Sequence, residues 1–241
     1  MRVRWTGGVR RLAMAAVAVA VLVPGAAHAQ GKITGKVTFS GTAPAPGKLK
    51  MDADPVCAAA HPDGAAAEDL VVGDGGSVQN VFVYVKEGAK GTFPAKTEPA
   101  VIDQKGCLYG PRVVGLQVGQ PLKFLNSDQT LHNVHGMPKV NAPWNFAMPK
   151  FVKQKENKDL TKPEVMIHVK CDVHPWMSGY VGVLEHPFFA VTGKDGTFTI
   201  EGLPPGEYTV EAWQEKLGAQ TAKVKVDAAA PAKQDFTFKP S

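Results

Sequence analysis

The sequence predicts an all-β protein. Short apolar runs alternate with a two-residue period, turn residues separate them, and only one short stretch reads as helix. The 241 residues include 25 glycines and 19 prolines, the density of turn chemistry that many short strands require.

The first segment is not part of that fold. Arg2, Arg4, Arg10 and Arg11 flank or precede an apolar run from Leu12 to Val23 that is short for a membrane span. Pro24 and Gly25 break the run, and Ala27-His28-Ala29 has the small-x-small form of a cleavage site. Residues 1–29 therefore read as a secretory signal cleaved after Ala29, which places the mature chain in the periplasm or outside the cell. An uncleaved anchor is the alternative. Arg10-Arg11 sits in a poor context for twin-arginine export, and no cysteine follows closely enough to carry a lipid. No other segment approaches membrane-spanning length.

Removing the signal changes the charge. The whole chain has 27 basic and 22 acidic residues and a formal charge of +5; residues 1–29 hold four of the arginines and no acid. The mature chain is thus near neutrality, and it carries no basic stripe interleaved with aromatics, which argues against nucleic acid as a partner. Lysines 150, 153, 155 and 158 cluster in KFVKQKENKDL (150–160), but Glu156 and Asp159 are interspersed. The segment reads as a solvated loop, with a weak docking role for an acidic partner as the alternative.

The strands follow in order. In GKITGKVTFSG (31–41), Ile33, Val37 and Phe39 share one face and Lys32, Thr34, Lys36 and Thr38 the other. A helical turn starts at Asp54, with Pro55 in the first helical position. VFVYVKEG (81–88) reads as a second strand of the alternating kind. In PEVMIHVKC (163–171), Val165, Ile167, Val169 and Cys171 fall on one face, so the thiol points with the apolar core. His168 falls on the opposite face and is expected to be exposed. The C-terminal part, FFAVTGKDGTFTIEGLPPGEYTVEAW (188–213), reads as strand, Asp-Gly turn, strand, Pro-Pro-Gly turn and strand. TAKVKV (221–226) and QDFTFKP (234–240) add two more.

The chemistry is concentrated in four residues. Cys171, His174 and Met177 form C-x-x-H-x-x-M, and His132 lies on an earlier strand. Two imidazoles, a thiolate and a thioether are the donor set of a blue-copper centre: the sulfurs suit Cu(I), and the imidazoles suit both oxidation states. Zinc sites use similar atoms but rarely a methionine, and their usual Cys-x-x-Cys pairs are missing. His135 points away from His132 by the strand period, so it and His168 are set aside as ligands, and His186 has no nameable partner. Each residue alone has an ordinary explanation, since a lone buried cysteine behaves as a small hydrophobe. Their order and spacing are what point to copper.

Three cysteines are present. With Cys171 on the metal, Cys57 and Cys107 remain to pair in an oxidising compartment. The alternatives are a free Cys107 thiol near the copper and a second metal at Cys57-x-x-x-His61. No Cys-x-x-Cys-His haem attachment site is present.

LHNVHG (131–136) and CDVHPWMSGYVGV (171–183), preceded by VVGLQVGQPLKFLNSD (113–128), resemble the amicyanin and plastocyanin branch of the cupredoxins. The short loop, with Pro175 after the second histidine and Trp176 before the methionine, is most similar to amicyanin. The resemblance spans roughly 101–185 and implies a Greek-key β-sandwich. It makes His132, Cys171 and His174 the equatorial ligands of one type 1 copper and Met177 the weak axial ligand. It also makes Asn133 the residue that ties the two ligand loops together and donates its backbone N–H to the cysteine sulfur. It further implies that His174 presents a ring edge to solvent through an apolar patch, making Pro175 and Trp176 the electron port. The loop APWNFAMP (142–149), with Trp144, Phe146 and Met148, would lie beside that patch or pack between two domains.

GKDGTFTIEGLPPGEYTVEAW (193–213) resembles a second family, the transthyretin-like or carboxypeptidase-regulatory-like β-sandwich, also described as carbohydrate-binding-like. Such a module normally opens with a strand of the Gly-x-Val-x-Gly-x-Val kind, and the strand of that kind here is at 31–41. Residues 186–240 alone would bury a thin core. The expected organisation is therefore one discontinuous sandwich, 31–98 with 186–240, into which a copper domain at 99–185 is inserted. The competing layout gives 31–98 to the copper domain.

Two functions follow as expectations. One is a periplasmic or secreted electron carrier serving a redox protein such as a cytochrome or dehydrogenase. The other is a glycan- or protein-binding sandwich whose copper is structural or sequestered. An enzyme is not expected, because four donors leave no vacant position for substrate and no nucleophile–base arrangement is recognisable.

Overall fold

The computed structural model describes residues 1–3 and 30–240; the apolar run and cleavage site of the export segment lie outside the described residues. The regular structure of the described chain is almost entirely strand, joined in four main sheets with two short two-stranded ribbons. No helix among the described residues is long and apolar enough to cross a membrane.

Two of the sheets draw on both ends of the chain. Gly31–Phe39 pairs antiparallel with Thr197–Leu203 and parallel with Ala232–Lys233 and Phe236–Phe238. In the facing sheet the order is Phe189–Val191, Phe82–Glu87, Gly206–Gln214, Gly218–Val226, all antiparallel. Ile33, Val37 and Phe39 meet Val83, Val85, Phe198, Ile200, Val210 and Phe236 in one core, so the alternation along Gly31–Phe39 gives it one buried face.

The other two sheets use the middle of the chain. One orders Gln154–Asn157, Leu122–Asn126, Ala100–Lys105 and Leu108–Gly110. The other orders Trp144–Met148, His132–Met137, Glu164–Lys170, Ser178–Leu184 and Val113–Gln117, with the last pair parallel. Ile102, Leu116, Leu122, Phe124, Val134, Ile167, Val169 and Val181 fill the space between them. The lysine-rich segment expected to be a loop instead contributes the edge strand Gln154–Asn157, where Glu156 pairs with Lys123 and Lys158.

Several expectations need correction. Val81 to Val85 are all buried, so this strand does not have one wet face. Its second face packs on the middle sheets: Phe82 and Tyr84 join Val113 and Leu184, with Met166, Tyr180, Phe189 and Trp213 around them. An uninterrupted apolar run is what a strand covered on both faces requires. Gly115 and Gly182 are register partners under this contact. A Cβ on Gly115 would lie 2.3 Å from the Phe189 ring, and one on Gly182 would lie 2.7 Å from that of Phe82. The paired glycines thus make the shallow bed on which the two rings rest.

Glu164–Lys170 also departs from simple alternation. Met166 has a φ of 60°, and the register with Ser178–Leu184 shifts between Glu164 and Ile167. The extra residue turns Val165 outward to 37% exposure, whereas Ile167, Val169 and Cys171 remain buried. His168, expected in solvent, is half-buried: its Nε2 lies 2.8 Å from Ser178 Oγ and its ring stacks on Tyr180. Tyr180 in turn packs on Trp213 of the other core. Beside them Arg112 grips Glu215 with two nitrogens, at 2.6 and 3.0 Å, and donates a third bond to the Ser178 carbonyl. His186 also has a place, between the rings of Phe93 and Phe188.

Gly115→Ala forces a methyl group into the Phe189 ring. It should lower stability by about 1–3 kcal/mol, the usual penalty of overpacking, in denaturant unfolding. An unchanged midpoint would mean that the Phe189 ring moves aside freely.

Candidate metal centre

The site lies at one end of the two middle sheets. His132 opens the strand His132–Met137, and Cys171 directly follows Glu164–Lys170, which pairs with it. The loop from Cys171 to Met177 closes tightly: Met177 donates its N–H to the His174 carbonyl, and Cys171 donates its own to the Met177 carbonyl. That closure brings a third donor beside the first two. One ligand atom from each of His132, Cys171 and His174 lies within 4.8 Å of the others, and all three residues are buried. Met177 is fully buried in the same core.

The cysteine sulfur accepts two backbone N–H bonds, from Asn133 at 3.3 Å and from His174 at 3.4 Å. Burial raises the thiol pKa, but the facing His132 and these N–H groups outweigh it and favour the thiolate. The Asn133 side chain spans the two ligand segments. Its Oδ1 accepts from the Asp172 N–H, and its Nδ2 donates to Asn145 Oδ1 and the Phe146 carbonyl. Tyr109 adds a hydroxyl that donates to the carbonyls of Asn133 and Lys170.

Each histidine has a carboxylate behind it. His132 Nε2 lies 2.8 Å from Asp128 Oδ2, and His174 Nε2 lies 3.1 Å from Asp54 Oδ2. Both carboxyl groups are held below the usual range. Burial opposes this, but hydrogen bonds from Thr130, His174 and two backbone N–H groups bring Asp54 to about 2. For Asp128, hydrogen bonds from His132 and the N–H groups of Cys107 and Gly106 outweigh burial and lower the carboxyl pKa. An ionised carboxylate only accepts, so each Nε2 carries a proton and each ring turns its Nδ1 inward. The two Nδ1 atoms stand 3.0 Å apart, and that of His174 is 3.7 Å from Cys171 Sγ. For His132, burial pulls the pKa down, but Asp128 and Cys171 raise it to about 8. Two imidazole nitrogens and a thiolate converging in a buried space form a donor set that suits copper or zinc.

Asp54 and Asp128 were not singled out as site residues in the sequence. Asp54 carried a visible signal only as the residue before a helix. It caps Pro55–Ala60 by accepting the N–H groups of Val56 and Cys57. Asp128 stands four residues before His132 and binds the N–H groups of Gly106 and Cys107 in the adjacent hairpin turn. Cys57 and Cys107 are bonded to each other, and His61 turns its Nε2 to the Gly106 carbonyl instead of toward Cys57.

His174, expected to present a ring edge to solvent, is only 2% exposed, and its Nε2 faces Asp54. Trp176 packs beside the His174 ring and donates Nε1–H to the Cys107 carbonyl, while Pro175 is exposed. The segment 142–149 is an edge strand, not a loop, and Trp144 and Phe146 pack half-buried on the core that holds the site. His135 faces Asp172 at 3.0 Å, outside the donor cluster.

Asn133→Ala should weaken the metal-free protein by about 1–2 kcal/mol in chemical unfolding, since it removes the side-chain bridge and leaves the N–H to sulfur in place. No loss would mean that the two ligand segments hold together without it.

A family model, the carboxypeptidase regulatory-like domain, matches residues 183–239. No curated protein matches the chain. Among solved structures, it is similar to the Cu-containing nitrite reductase from Thermus scotoductus SA-01, at 26% identity over 42% of this chain, with a TM-score of 0.31. The match spans only 25% of that enzyme's length. An oxidised mutant of amicyanin is similar at 25% identity, covering 35% of this chain and 81% of its own, with a TM-score of 0.32. A purple cupredoxin from Nitrosopumilus maritimus is similar at 20% identity over 35% of this chain and 98% of its own, with a TM-score of 0.30.

Proposed function

We propose that this chain is an exported type 1 copper protein that passes single electrons between redox partners. His132, Cys171 and His174 would hold the metal, and Met177 would be its weak axial donor. The observation that carries this reading is the inward convergence of two Nδ1 atoms and a thiol, with both outer nitrogens tied to carboxylates. Copper bound there would supply one-electron cycling between Cu(II) and Cu(I). The protein's part is to hold the donors still. Both rings are fixed from behind, the sulfur is fixed by two N–H groups, and the backbone-bonded loop from Cys171 to Met177 would limit rearrangement between oxidation states. The four donors fill the site, which favours a carrier over an enzyme.

In this reading residues 31–98 and 186–240 form one sandwich that carries the copper unit at 99–185. The pairings of Gly31–Phe39 with Thr197–Leu203 and of Phe82–Glu87 with Gly206–Gln214 support that layout. The electron donor and acceptor would be redox proteins, a cytochrome or a dehydrogenase by class. A second reading, a glycan- or protein-binding sandwich with a sequestered metal, draws on the carboxypeptidase regulatory-like match at 183–239.

The oxidised copper-loaded protein should be intensely blue or blue-green from thiolate-to-copper charge transfer, and ascorbate should bleach it. Cys171→Ser and His132→Ala should each abolish the colour, whereas His135→Ala and His168→Ala should leave the visible spectrum unchanged. A colourless protein that binds one zinc and refuses copper would falsify the carrier reading.

A further inference from the structure

The two carboxylates behind the histidines do not come from the ligand segments alone. Asp54 lies 120 residues before His174 and reaches it on a separate arm, Met51 to His61. That arm is held at several points. Asp54 Oδ1 accepts the N–H groups of Val56 and Cys57, and Oδ2 is shared between Thr130 Oγ1 at 2.7 Å and His174 Nε2. Three residues further on, Cys57 is bonded to Cys107. The N–H of Cys107 goes to Asp128, the partner of His132, and its carbonyl accepts from Trp176, whose ring packs beside His174. One buried disulfide therefore joins the arm that serves His174 to the turn that serves His132.

We infer that Asp54 is a positioning residue for His174, delivered by this disulfide-pinned arm, and that its carboxylate fixes the ring with Nδ1 inward while favouring the higher oxidation state of a metal held there. The second half of the inference rests on the copper reading; the first half does not. Three physical steps carry it. A carboxylate accepting from Nε2 makes the ring a better donor at Nδ1. Its negative charge, held beside a ring that is only 2% exposed, stabilises Cu(II) more than Cu(I). The arm also leaves His174 2% exposed, so its ring cannot turn outward while the arm is in place.

Asp54 has a structural duty as the cap of a short helix, so the test must separate cap from charge. Asparagine and serine are both good caps. Asp54→Asn keeps the cap and the reach but loses the charge, and Asp54→Ser keeps the cap and loses the reach. Asp54→Glu keeps the charge on a longer stem. Non-reducing peptide mapping should find Cys57 joined to Cys107 in all three.

In the metal-free protein, nitrogen-15 correlation spectra should show His174 as the Nε2–H tautomer in the parent chain. Asp54→Ser should give a mixture of tautomers. In the copper-loaded protein, Asp54→Asn should lose about tenfold in Cu(II) affinity relative to Cu(I), which raises the potential by about 59 mV for a one-electron couple. Asp54→Glu should recover part of that shift. An unaltered His174 tautomer in Asp54→Ser would overturn the positioning role even if the protein takes up no copper. A potential in Asp54→Asn within twofold of the parent affinity ratio, with the blue spectrum intact, would overturn the electrostatic role and leave the copper reading standing.

Discussion

Two carboxylate–imidazole contacts organise the site. By accepting from Nε2 of His132 and His174, Asp128 and Asp54 decide which nitrogen of each ring is free. Without them, either ring could turn its other nitrogen inward, and the cluster around Cys171 would lose its common focus. Each carboxylate is itself held by backbone N–H groups, Val56 and Cys57 for Asp54 and Gly106 and Cys107 for Asp128. Fixed main chain thus orients the carboxylates, the carboxylates orient the rings, and the rings and sulfur define the space between them.

That hierarchy needs a scaffold that does not shift. The strands carrying His132 and Cys171 pair with each other, and Cys171 closes the loop onto Met177 through backbone bonds. Behind this sheet the bed formed by Gly115 and Gly182 receives Phe82 and Phe189, which anchor the middle sheets to the strands from the chain's two ends. The Arg112–Glu215 pair closes the edge of the same contact, with both side chains only 10% exposed. Breaking such a shielded pair by removing one partner typically costs about 3–5 kcal/mol, so the contact adds orientation as well as apolar burial.

The Asp54 carboxylate meets His174 at the ring edge that an exposed imidazole would turn to solvent. A ring edge open to solvent shortens the path to a partner and also admits water and foreign ligands. Here the edge is covered, and His174 spends its outer nitrogen on a carboxylate. The apolar side chains Leu131 and Val173, each next to a histidine of the cluster, are exposed.

The sequence by itself determined the all-β character, the alternation along Gly31–Phe39, the helical turn after Asp54 and the spacing that sets Cys171, His174 and Met177 on one loop. These are local properties, fixed by the two-residue strand period, by turn residues and by donor chemistry within seven positions of chain. Tertiary structure decided the rest. The outward turn of Val165 comes from a bulge at Met166, which alternation cannot reveal because the extra residue has no signature of its own. The half-burial of His168 comes from stacking on Tyr180, which packs in turn on Trp213 of a different sheet. Asp54 meets His174 across 120 residues because folding holds its arm there, through the Cys57–Cys107 disulfide and the Thr130 hydroxyl. An acid at the start of a helix reads as a cap in any sequence, and only folding shows that its other oxygen holds a histidine.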